Sequence, residues 1–125
     1  MNAILLVGLG GFIGAVLRFL LSGLVQGGRL WFPFGTFFVN FVGCLALGLL
    51  MFFAESGGNI HSDLRLFLTI GILGAFTTMS TFAYESFRLL EESRYLLFTV
   101  NFLGGSLLNL SAIYIARIIV YWRSI

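Results

Sequence analysis

Residues able to do chemistry are few in this chain. The densest group lies in GAFTTMSTF, residues 74–82, where Thr77, Thr78, Ser80 and Thr81 follow closely on Gly74. Other amides and hydroxyls interrupt apolar stretches: Asn40, with Thr36 one helical turn before it, and Asn101, Ser106, Asn109 and Ser111 nearer the C-terminus. No set among them would make or break covalent bonds. The one histidine, His61, stands in a polar segment and reads as a solvated loop residue, and the one cysteine, Cys44, reads as a small packing residue in an apolar run. Neither has the companion groups that a metal site or a catalytic set needs, and one cysteine allows no disulfide within the chain. The chemistry on offer is hydrogen bonding by neutral groups, and the expectation is a protein that is not an enzyme.

The elements that must hold these groups follow from the solvent. Of 125 residues, 59% are hydrophobic and only 10% charged, and the mean hydropathy is strongly positive. A water-soluble domain of this size could not hide so much apolar surface. Four apolar runs stand out, 3–25, 35–54, 66–84 and 95–116. Each is close to the roughly 20 residues a helix needs to cross a hydrocarbon layer of about 30 Å. None alternates apolar and polar residues as a membrane β-strand would. The predicted fold is an all-α integral membrane protein, one four-helix transmembrane domain over 1–125 with helices over about 3–25, 33–54, 64–91 and 94–121. The first run is too long for a signal-peptide core, contains Arg18 and lacks a basic stretch before it, so it is expected to be retained as a helix. The connections leave no room for a second domain. Gly8, Gly11 and Gly14 on the first helix, Gly43 and Gly48 on the second, and Gly104 with Gly105 on the fourth are expected to let helices pack closely.

Polar groups at this depth commonly serve as hydrogen-bonding glue between helices, and for any single residue that reading stands. A cluster is harder to explain so. Two threonines in succession weaken the helix, because β-branched side chains and hydroxyls compete with the backbone ladder. The sequence predicts a break in the third helix, near the bilayer midplane. Carbonyls freed there are tolerated only where protein buries them, where they line a watery cavity, or where they hold an ion.

All seven basic residues are arginines. With four spans, Arg65, Arg117 and Arg123 fall on one side of the membrane and Arg29, Arg88 and Arg94 on the other, with Arg18 inside the first helix. Three against three gives little positive-inside preference. The chain is therefore expected to insert both ways round and to pair as an antiparallel, dual-topology homodimer. A single bundle rich in Phe and Leu would fill its own centre, so any transport pathway also favours a dimer.

GGFIGAVLRF (10–19), GTFFVNFVG (35–43) and GAFTTMSTF (74–82), in this order in a four-span chain, closely resemble the Fluc-type fluoride channels, also called the CrcB family. The resemblance covers nearly the whole chain. It implies a passive, fluoride-selective channel that exports fluoride and lowers its cytoplasmic concentration, as a multi-pass protein of the bacterial plasma (inner) membrane. Its implied partners are fluoride, membrane lipid and a second copy of the chain, with no nucleic acid. By resemblance, two separate fluoride pathways run through the antiparallel dimer, and Asn40, Ser80, Thr81 and Ser106 belong to the polar path, with Phe82 in the aromatic pair lining it. Backbone carbonyls at Gly74 and Thr77 from both copies are implied to hold a structural sodium ion at the dimer centre.

Fluoride is small, strongly hydrated and a potent hydrogen-bond acceptor, so a pore must replace its water with donors. Asn40 and the hydroxyls of Thr36, Ser80, Thr81 and Ser106 offer such donors, and the edge of the Phe82 ring adds positive character. Two positions depart from the family pattern. Met79 stands where many relatives carry the first phenylalanine of the pair, and Phe102 where a tyrosine is expected. Met79 can still pack against an ion path. Arg18 is expected to snorkel toward the surface and draw anions into a vestibule. Glu85 is read either as a solvated helix-end residue or as an acid at a pore mouth. Two other readings remain at this point. A small proton-coupled multidrug exporter needs a membrane carboxylate, which the first helix lacks. A non-transporting membrane assembly protein would use every polar residue as glue.

Overall fold

A computed structural model describes residues 2–122 of the chain. Helix α1 covers Ala3–Gln26 and α2 covers Phe34–Glu55. A third helical region, Ser62–Glu91, is built from α3 (Ser62–Leu66), a π-helical segment (Phe67–Leu73), α4 (Gly74–Phe76) and α5 (Met79–Glu91). A fourth, Tyr95–Trp122, joins α6 (Tyr95–Thr99), a second π-helical segment (Val100–Gly104) and α7 (Gly105–Trp122). All four regions are long and apolar enough to cross a membrane. Arg123, assigned to one side of the membrane in the charge balance, lies outside the described residues.

Local chemistry sets the ends. The Asn2 side chain accepts from the Ile4 N–H at 2.9 Å and caps α1, and Gly27, at φ 53°, closes it in the left-handed conformation that glycine takes without strain. Gln26 then holds the turn into α2. Its Oε1 accepts from the Gly35 N–H at 2.9 Å, and its Nε2 donates to the carbonyls of Phe32, at 3.0 Å, and Arg29.

The helices meet where side chains are small. α1 lies along the first π-helical segment and α4, while α2 lies along α7. A Cβ on Gly10 would come within 2.7 Å of the Phe67 carbonyl oxygen and 2.8 Å of the Gly71 Cα, and one on Gly14 would run into the Ile72 carbonyl. Gly8 and Gly11, expected to share that packing face, point away from the protomer's own helices: a Cβ added to either would meet nothing within 4 Å. The contact face is thus set by the i, i+4 pair Gly10 and Gly14, which share one side of a helix. Gly48 meets Ala116 and Ile113 where α2 crosses α7.

This arrangement makes a stability prediction. Gly14→Ala should destabilise the protein by about 1–3 kcal/mol, because backbone cannot yield to the new methyl. Gly8→Ala should lie within about 0.5 kcal/mol of the parent. Thermal unfolding of the two variants in detergent checks this; equal midpoints would mean that α1 does not pack as described.

Candidate functional site

The site grows out of two residues. Thr77 (φ −83°, ψ 156°) and Thr78 (φ −146°, ψ 119°) are extended between α4 and α5. Each threonine hydroxyl serves the adjoining helix. The Thr77 hydroxyl donates to the Leu73 carbonyl at 3.1 Å, the same oxygen that receives the Thr77 N–H. The Thr78 hydroxyl oxygen caps α5, accepting from the Thr81 N–H at 3.2 Å, and it also lies 3.1 Å from the Thr81 hydroxyl and 3.4 Å from that of Ser80.

Asn40, buried on α2, braces the extended pair from across the bundle. Its Oδ1 accepts from the Thr78 N–H at 2.8 Å and its Nδ2 donates to the Thr78 carbonyl at 3.1 Å. One amide side chain thereby satisfies both backbone groups of a residue that has left the helical ladder. The sequence alone presents Asn40 simply as a source of N–H groups; one of its two amide hydrogens is already engaged, which leaves one. One turn earlier, the buried Thr36 donates its hydroxyl to Glu85 Oε1 at 2.9 Å. Glu85 Oε2 is buried and has no hydrogen-bond partner among the described residues.

The brace decides which carbonyls are left over. In an unbroken α-helix the Thr78 N–H would donate to the Gly74 carbonyl and the Thr81 N–H to the Thr77 carbonyl. Here both donors are turned elsewhere, to Asn40 and to the Thr78 hydroxyl. The Gly74 and Thr77 carbonyls are therefore among those that lose their helical donors at the break. Among the described residues no group of three His, Cys, Asp or Glu comes together to hold a metal.

The other candidate residues divide by exposure. Phe82 is 6% exposed, its ring stacked on Phe102 with centroids 6.0 Å apart and 16° between planes. Phe102 in turn stacks on Phe98 at 5.6 Å. Met79, by contrast, is 71% exposed, and Ser80, Thr81 and Ser106 also face outward. The Ser106 hydroxyl donates to the Phe102 carbonyl at 2.6 Å. One protomer thus gathers Thr36, Asn40, Thr78 and Glu85 inside, and leaves Met79, Ser80, Thr81 and Ser106 on its surface. A cavity of about 480 Å³ reaches the Thr36 and Glu85 pair, with Gln26, Trp31, Thr81, Arg88 and Arg94 in its walls. Arg18 is half-buried on α1, makes no ion pair among the described residues, and is not part of that wall, although Phe19 and Ser22 are.

Comparison with known proteins decides the family. The family model described as "CrcB-like protein, Camphor Resistance (CrcB)" matches residues 5–117. The chain belongs to the CrcB family. Among its CrcB relatives, "Fluoride-specific ion channel FluC 1" of Methanosarcina acetivorans is 52% identical over 118 residues, 94% of this chain and 90% of that protein. "Fluoride-specific ion channel FluC 3" of Methanosarcina barkeri is 50% identical over 117 residues, 94% of this chain and 89% of that one. A bacterial CrcB relative, "Fluoride-specific ion channel FluC" of Nitratidesulfovibrio vulgaris, is 46% identical over 109 residues, 86% and 87% of the two chains. With four apolar helices and channel relatives, this CrcB protein is a multi-pass membrane protein.

Sequence reasoning left Thr78 out of the site. Its signal was present, a hydroxyl residue immediately before a helix restarts, which is the commonest N-cap chemistry. The Thr36 and Glu85 pair joins positions 49 residues apart, and no local pattern marks it.

Proposed function

We propose that the chain is a passive, fluoride-selective channel that lets fluoride out of the cell, formed by two copies of one four-helix domain spanning residues 1–125. The match over 94% of the chain to a protein named as a fluoride-specific channel carries this reading. The residue chemistry supports it. Asn40, Ser80 and Thr81 are neutral donors, able to replace the water around a small, strongly hydrated anion without repelling it, and Thr36 and Ser106 join them when their hydroxyls turn from Glu85 and from the Phe102 carbonyl. Met79 and Phe82 supply the polarizable and ring-edge parts of the path, and Arg18 the positive field that gathers anions near its mouth.

The partner in this reading is a second copy in the opposite orientation, in the plasma membrane. The balanced arginines support it, and so does the outward position of Met79, Ser80, Thr81 and Ser106, which a single protomer leaves unenclosed. The extended pair at Thr77 and Thr78 is the functional break of the third helix. A sodium ion held by the Gly74 and Thr77 carbonyls of both copies would supply positive charge that neutralises the crowded oxygens at the dimer centre. An exporter coupled to protons is not favoured, since α1 contains no carboxylate.

Purified protein in liposomes loaded with fluoride tests the reading. Fluoride should leave when an ionophore compensates charge, at a rate that collapsing any proton gradient leaves unchanged. Strict dependence on a proton gradient would overturn the passive mechanism.

A further inference from the structure

Behind Phe82 lies a polar pair that the pathway does not use. Ser86, 4% exposed on α5, donates its hydroxyl to the Phe82 carbonyl at 2.7 Å. Asn101, 1% exposed, donates its Nδ2 to that same Ser86 oxygen at 2.9 Å. Asn101 Oδ1 is buried and has no hydrogen-bond partner among the described residues. An orphaned amide oxygen destabilises a fold, and an apolar side chain of similar size would fill the space without that cost. Cohesion alone is therefore a poor explanation for Asn101.

Its placement suggests another. Asn101 stands in the π-helical segment Val100–Gly104, which also carries Phe102, and Gly105 follows directly. Wide π turns inside α-helices re-aim side chains and recur at functional sites. All three bear on Phe82, Asn101 through Ser86. Phe102 stacks on the ring, a Cβ on Gly105 would stand 3.3 Å from the Phe82 Cε2, and Ser86, held by Asn101, fixes the carbonyl.

We infer that Asn101 and Ser86 are positioning residues for fluoride conduction, a relay that fixes Phe82 on α5 so that its ring meets the anion at one depth and angle. The inference rests on the channel reading. Neither side chain touches the ion. Both act through the Phe82 backbone, and Phe102 and Gly105 complete the socket around the ring.

Single-channel recording in planar bilayers tests it, because fewer folded channels lower the number of events and not the current through each. Ser86→Ala should lower unitary fluoride conductance about tenfold in protein that elutes as the parent does, and Ser86→Thr, which keeps the hydroxyl, should restore most of it. Asn101→Leu should match Ser86→Ala, and the double variant should be no worse than either, as members of one relay behave. Parental conductance in Ser86→Ala or Asn101→Leu would overturn the relay while leaving the channel reading intact. Strictly multiplicative losses in the double variant would overturn it too. Failure of both single variants to assemble would make the pair a folding element and equally end the proposal. Absence of fluoride current in the parent would sink the channel reading itself.

Discussion

Asn40→Asp is expected to cut fluoride flux by about two orders of magnitude in a protein that still enters the membrane. The change is nearly isosteric, but it acts twice. The Asn40 Nδ2 donates to the Thr78 carbonyl while its Oδ1 accepts from the Thr78 N–H. A carboxylate keeps the second bond and turns the first into two acceptors facing each other. It also sets a negative charge beside the path, and at 4 Å with an effective dielectric near 20 that repels an anion by about 4 kcal/mol. Phe82→Ile should be milder, about tenfold, through loss of the ring edge. Thr77→Ser is the control. It keeps the hydroxyl that bonds Leu73 and removes only the methyl that a Cβ on Gly43 would strike, so flux should stay near the parent's. A fluoride electrode reading efflux from liposomes of matched protein content separates the three; parental rates in both Asn40→Asp and Phe82→Ile would reduce the hydroxyl cluster to helix glue.

How much of this was legible in the sequence depends on the range of the interaction. The four apolar helices were legible because hydropathy over some twenty residues is a property of the chain itself. Two threonines at positions 77 and 78 announced a weak place in a helix for the same local reason. What holds that place together was not legible. The amide that braces Thr78 lies 38 residues away, and only folding brings α2 against the start of α5. Of the three glycines expected to pack on α1, Gly14 does so within the protomer, beside Gly10 on the face that meets Gly71 and Ile72, while Gly8 and Gly11 lie off that face because three-residue spacing drifts around a helix. The π-helical segments at Phe67–Leu73 and Val100–Gly104 rotate everything after them by an extra residue, and no residue type marks such a turn. Asn101 and Phe102 lie within the second of these segments, where α-helical spacing does not place side chains.

Orientation supplies the second large effect. Two or three lysines added to one connection should force a single orientation, at about 1 kcal/mol or less for each charge near the interface. The ion pairs of Arg88 with Glu91 and Glu92, and of Arg94 with Glu92, should not blunt this, since acidic residues count for little in orientation. Each fixed variant alone should carry almost no fluoride, and the two opposite variants expressed together should recover it. Full activity from either one alone would rule out the antiparallel dimer.

The central claim is that this pathway selects fluoride and moves it passively, and a reversal potential reads both at once. With purified protein in a planar bilayer, a tenfold fluoride gradient and symmetric chloride, the current should reverse close to 59 mV, the Nernst value for one monovalent ion, and should stay there when pH is changed equally on both sides. A reversal well short of that value would mean that chloride carries current beside fluoride, and a reversal that follows an imposed proton gradient would mean coupled exchange; either result would contradict the account.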